Sequence, residues 1–137
     1  MTAKQWLNRA RRIDEEINAL LKSYDETKAR LTSVVQRLSG ETVQHSKDPH
    51  EFDRLAELSE MIDKRVDELI DIKRKTTEII SRVPDQRQRE VLERHYVGNE
   101  IFEKIAVAMH YSYPQVHRFH GYGLLEVERI LRDEGIL

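Results

Sequence analysis

The chain has 137 residues, 35% of them charged, with a formal net charge of −2 and a mean hydropathy of −0.68. That length holds one domain, or a small globular unit joined to an elongated element, and the absence of cysteine excludes a disulfide framework, a thiolate zinc site and a thiol nucleophile. No apolar run is long enough for a signal peptide or a membrane span, so a soluble, cytoplasmic protein is expected.

From Trp6 to Leu38, residues of one face recur with three-four spacing: Trp6, Ala10, Ile13, Ile17, Leu20, Tyr24, Thr27, Leu31, Val34 and Leu38, with charged residues filling most gaps. This heptad spacing predicts a helix over about 3–38. Gly40 and Pro49 break the pattern and mark Ser39 to His50 as a loop, with Asp48 as cap and Pro49 as first residue of the next helix. A second stripe, Leu55, Leu58, Ile62, Arg65, Leu69, Ile72, Thr76, Ile79 and Val83, predicts a helix over about 51–82. Two helices of similar length joined by a short loop predict an antiparallel, coiled-coil-like hairpin. Leu7, Leu21, Val35, Val66, Ile70 and Ile80 lie beside that seam, and are expected to meet the C-terminal unit or a second subunit.

Pro84 ends the second helix and a denser pattern follows. Asp85 caps a helix over 86–96 that buries Val91, Leu92 and Tyr96. Gly98 and Asn99 both tolerate a left-handed backbone and turn the chain. A short helix over 101–109 directs Phe102, Ile105, Ala106 and Met109 inward. His110-Tyr111 makes a tight turn, Ser112 is an N-cap and Pro114 fits the first turn of the last helix. That helix buries Val116, Phe119, Gly123 and Leu124, then Val127, Ile130 and Leu131. The fold class is all-α, with residues 1–83 as the hairpin, for oligomerisation or partner binding, and 84–137 as a three-helix unit.

A short helix, a turn and a Ser-capped second helix form a helix-turn-helix, in which the second helix lies in a DNA major groove. Ala106 supplies the small residue that two steeply crossing helices need where they meet. The stretch from Val83 to Leu131, containing VPDQRQREVLERHYVGNEIFEKIAVAMHYSYPQVHRFHGYGLLEV, resembles region 4 of bacterial sigma factors. The likeness lies in a Pro-led REVL helix, an EKIA helix and a Ser-initiated recognition helix. The layout, a long helical part and then this unit, is similar to the RinA/ArpU-like regulators of late genes in phages of Gram-positive bacteria.

The resemblance implies a phage or prophage transcriptional regulator whose partners are double-stranded DNA, a second copy of the chain and, as a further candidate, bacterial RNA polymerase. It places base contacts on Tyr113, Gln115, His117 and Arg118, with Tyr122 further along, and phosphate contacts on His95 and Lys104. The chemistry suits those roles: Arg bonds guanine bidentately, Gln does so with adenine, and Tyr or His meets a phosphate or base edge. Ile101 departs from the family, which has Ser or Thr as cap of the supporting helix. Gly123 fits the family's small residue against the neighbouring helix; Gly121 has no such role and offers a place for the helix to bend.

Charge is balanced locally as well as globally: residues 1–83 carry 16 basic and 16 acidic side chains, and residues 84–137 carry 7 and 9. DNA contact must therefore come from placement of charge, with four histidines of the second part as additional cations. His117 and His120, three apart, suggest no third ligand, so they are expected as partly exposed polar residues without metal. Tyr113 and Tyr122 are expected to be exposed and Tyr111 to pack. Asp67, Glu68 and Asp71 read as solvated partners of Lys64, Arg65 and Lys75. With no nucleophile beside a base, no phosphate loop and no clustered ligands, neither enzyme activity nor a cofactor is expected. The rival readings are a phage DNA-packaging protein of the terminase small-subunit kind and a protein-interaction module of the transcription machinery.

Overall fold

The computed structural model describes residues 1–38 and 49–137, with side chains described for 1–33 and 50–137. The loop and Asp48 cap expected before Pro49, and the side chains of Val34, Val35 and Leu38, lie outside the described residues. Among those described, all regular structure is helical: α1 (Ala3–Leu7), α2 (Arg9–Leu38), α3 (Pro49–Ser81), α4 (Gln86–Leu92) running straight into a π-helical turn (Glu93–Val97), α5 (Phe102–Met109) and α6 (Tyr113–Asp133). None of them is long and apolar enough to cross a membrane.

The first helix differs from expectation because Asn8 interrupts it. α1 is closed at its start by a capping box, with Thr2 Oγ1 accepting from the Gln5 amide at 3.2 Å and the Gln5 side chain accepting from the Thr2 amide at 2.8 Å. At its end, Arg9 Nε donates to the Trp6 carbonyl at 3.0 Å, a carbonyl that an unbroken helix would keep for its own ladder.

Two compact units emerge: Met1–Arg12 together with Leu69–Leu137, and Ile13–Glu68. The division thus runs through α2 and α3 and not at Pro84. The reason is the core of the first unit, where Ala3, Trp6 and Leu7 of α1 and Ile79, Ile80 and Val83 from the end of α3 join Leu92, Tyr96, Val127, Ile130 and Leu131. Leu7 and Ile80 therefore meet the C-terminal segment, one of the two fates expected for them. A second cluster, Val91, Ile105, Ala106 and Val116, is flanked by Phe102, Met109, Tyr111 and Phe119 and holds α5 against α6.

In the second unit the stripes keep their expected sides: Ile17, Thr27 and Leu58 are buried, and Ile13, Leu20, Tyr24, Leu31, Leu55 and Ile62 are half-buried. Thr27 is satisfied within its own helix, donating to the Ser23 carbonyl at 2.8 Å. Arg65, the one charged member of the α3 stripe, pairs with Glu16 of α2 at 3.2 Å and with Glu68 at 2.9 Å. Leu21 remains exposed and Val66 half-buried.

Candidate nucleic-acid interface

Local chemistry sets the path from α5 to α6. Ile101 caps α5 with an extended backbone and no side-chain bond. After Met109 the chain turns through His110, whose φ of 60° and ψ of 37° are left-handed, while the His110 and Tyr111 amides return to carbonyls of the last turn. Ser112 then starts α6 with a reciprocal cap: its Oγ accepts from the Gln115 amide at 3.3 Å, and Gln115 Oε1 accepts from the Ser112 amide at 3.0 Å. Pro114 occupies the first turn, where its missing N–H is harmless. Val116, fully buried, anchors the helix in the second cluster.

The outward side of α6 carries Tyr113, His117, Arg118, Gly121, Tyr122 and Leu125, all exposed. Tyr113 and His117 meet edge to face at 4.4 Å between ring centres, and His117 leans on Phe102 of α5 at 4.6 Å. Lys104, on α5, is also exposed. The structure therefore brings Tyr113, His117, Arg118 and Tyr122 onto the open surface of one helix, with Lys104 on the neighbouring one. Gln115 is half-buried, and its carbonyl oxygen is engaged by the cap, so reading a base with it would require that cap to open.

His95 requires a correction. It is only 8% exposed and cannot meet a phosphate from where it sits. The π-helical turn is responsible: the Gly98 amide reaches back to the Glu93 carbonyl at 3.0 Å and the Glu100 amide to the Arg94 carbonyl at 2.9 Å, which rolls His95 and Tyr96 inward. Gly98 is needed for this closure, since a Cβ there would lie 2.8 Å from the Arg94 carbonyl oxygen. Of the expected left-handed pair only Asn99 is left-handed, at φ 56°. Arg11 contacts His95 Nε2 at 2.9 Å; a guanidinium only donates, so Nε2 accepts, and Nδ1–H donates to the Glu100 carbonyl at 2.8 Å. The ring also stacks on Phe102 at 4.2 Å.

His120 is corrected in the same direction: it is 8% exposed, not partly open, and shares a 2.6 Å hydrogen bond with the Tyr96 hydroxyl. Burial lowers the pKa of His120 to about 4, helped by the charges of His95, Lys4 and His117. Burial also lowers that of His95, against the bond to Glu100 and with Arg11, Lys4 and His117 adding to the fall. Tyr96 is pushed up to about 12 by burial, so its hydroxyl stays protonated. A neutral polar layer thus underlies α6 and ties it to the π-helical turn. No group of three or more His, Cys, Asp or Glu among the described residues is arranged to hold a metal.

Two further signals in the sequence bear on this surface. Ser112-x-x-Gln115 is a capping-box pattern, which points Gln115 back toward its own helix start. Leu125 lies one helical turn beyond Gly121 and Tyr122 and extends the exposed stripe by spacing alone. Comparison of the chain with protein-family models, with curated proteins and with solved structures finds no match.

Proposed function

We propose that this protein is a DNA-binding transcriptional regulator, of the phage late-gene kind, that reads promoter DNA with α6. The observation that carries this reading is the open side of a Ser-capped helix, held by α5 across a left-handed turn, on which Tyr113, His117, Arg118 and Tyr122 are all exposed. Arg118 makes no ion pair or hydrogen bond among the described residues, so its planar donor fork is available to a guanine edge. Lys104 supplies a phosphate contact from the supporting helix. In this reading α2 and α3 fold back as an antiparallel hairpin and pair two copies, so that two α6 helices meet successive half-sites and offset the balanced charge of each.

The test is selection of bound sequences from a random duplex pool, repeated with Arg118→Ala and His117→Ala. A motif that relaxes at one position with Arg118→Ala supports the reading. No motif from the wild type, at low salt included, overturns it.

A second reading is favoured by Val107, 77% exposed on α5, and Leu125, 62% exposed on α6. Apolar side chains so open suit contact with another protein, such as bacterial RNA polymerase. Equal affinity for selected and random duplexes would favour this reading. A packaging protein of the terminase small-subunit kind would instead be marked by a ring of eight or more subunits in a mass measurement, where the regulator gives a dimer.

A further inference from the structure

The first unit contains a cavity of about 450 Å³ lined by Arg9, Asp71, Ile72, Arg74, Lys75 and Glu78. Its chemistry is lopsided. Three cations face two carboxylates, Asp71 and Glu78, and Glu78 shares Arg82 with Glu134. Arg74 and Lys75 enter no ion pair or hydrogen bond among the described residues.

Arg9 is the unusual member. Its guanidinium lies over the Trp6 ring at 4.4 Å and is held there by the bond from Nε to the Trp6 carbonyl. One terminal nitrogen, Nη2, is shut off from solvent and has no acceptor. A charged donor left in that state costs more than an ordinary unmade hydrogen bond. Burial, and then the nearby charge of Arg12, lowers the pKa of Arg9, which reflects the same lack of compensation.

We propose that this cavity binds a phosphate group, gripped by Arg9, Arg74 and Lys75 against the wall made by Ile72. The Arg9 guanidinium, fixed on the indole with Nε committed to the Trp6 carbonyl and Nη2 sealed, leaves Nη1 as its directed donor, and the lysine and second arginine supply charge without geometric demand. A phosphate monoanion balances the single positive charge left once Asp71 and Glu78 are both counted. The volume exceeds that of one phosphate and leaves room for an attached organic group. The inference does not depend on the reading of α6.

Trp6 is the only tryptophan in the chain, so its fluorescence reports on Arg9 directly. Titration of the full chain with sodium phosphate, at ionic strength matched with sodium chloride, gives a saturable change in Trp6 emission and a parallel rise in Tm that chloride does not give. Arg74→Gln combined with Lys75→Gln, both at exposed positions, weakens phosphate binding by about tenfold or more, whereas Asp71→Asn tightens it. A short random duplex that competes with phosphate for the same signal identifies the source as a nucleic-acid backbone; absence of competition identifies free phosphate or a small monoester. The proposal fails if neither emission nor Tm distinguishes phosphate from chloride, or if the double variant binds phosphate as the wild type does.

Discussion

The two sides of α6 obey different rules. Inward, Val116, His120, Gly123, Val127, Ile130 and Leu131 are all buried, and each is accounted for by what it touches. Outward, Arg118, Gly121, Tyr122 and Leu125 are exposed, and packing explains none of them. The two glycines make the contrast sharpest. A Cβ on Gly123 would lie 2.9 Å from Leu92 Cδ1 and 3.2 Å from its Cγ, so the close approach of α4 requires a glycine. A Cβ on Gly121 meets nothing within 4 Å. Helix propensity alone would favour alanine there by about 1 kcal/mol. Residues on the inward side are explained by stability, and those on the outward side call for an explanation outside the folded chain.

The contrast can be tested by effects of descending size. Leu131→Ala, at a fully buried position, lowers unfolding free energy by about 3 kcal/mol in urea titration; a loss below about 1 kcal/mol would mean the inward side tolerates cavities and is not the determinant it appears. Acid comes next. The folded chain holds His120 and His95 neutral while the unfolded chain takes up protons below the ordinary value of 6.5. Stability is therefore full above pH 6.5, falls as pH drops, and levels off near pH 4, with a loss on the order of 2 kcal/mol. Urea midpoints across that range check it: His120→Gln flattens the slope.

Gly123→Ala costs about 1–2 kcal/mol, because Leu92 is itself fully buried and must give way. Gly121→Ala does the opposite, raising stability by about 1 kcal/mol in the same assay. If α6 reads DNA, this stabilised variant binds the selected duplex more weakly, since the methyl group holds the helix off its partner. Higher stability with unchanged binding would remove Gly121 from the contact surface.

Much of this arrangement can be read from residues close together in sequence. Ser112, Pro114 and the turn at His110 follow from backbone and capping preferences over a few residues, and the stripe from Trp6 to Leu31 follows from helical period. Gly123 was legible as a site of close helix approach. The partnerships of His95 were not, because Arg11 lies 84 residues away and only the fold brings it near. Tyr96 and His120 are 24 apart and likewise non-local. The π-helical turn escaped because it adds a residue to a helix without a break in composition, and that extra residue moved His95 from an expected surface to the interior. Of the candidate contacts, Tyr113, His117, Arg118, Tyr122 and Lys104 are surface positions that amphipathic spacing separates well. At Gln115 a local bond to the helix start competes with the outward direction that spacing suggests.

The grouping of Ala3, Trp6 and Leu7 with Val127, Ile130 and Leu131 has a consequence for synthesis in the cell. Ala3, Trp6 and Leu7 are made well before Val127, Ile130 and Leu131, and their apolar faces wait until that later segment has left the ribosome. Closure across such a separation is entropically slow and cannot be nucleated by neighbours. In that interval the early segment is a natural client for chaperones, and a pause in translation before residue 127 would prolong its exposure to aggregation.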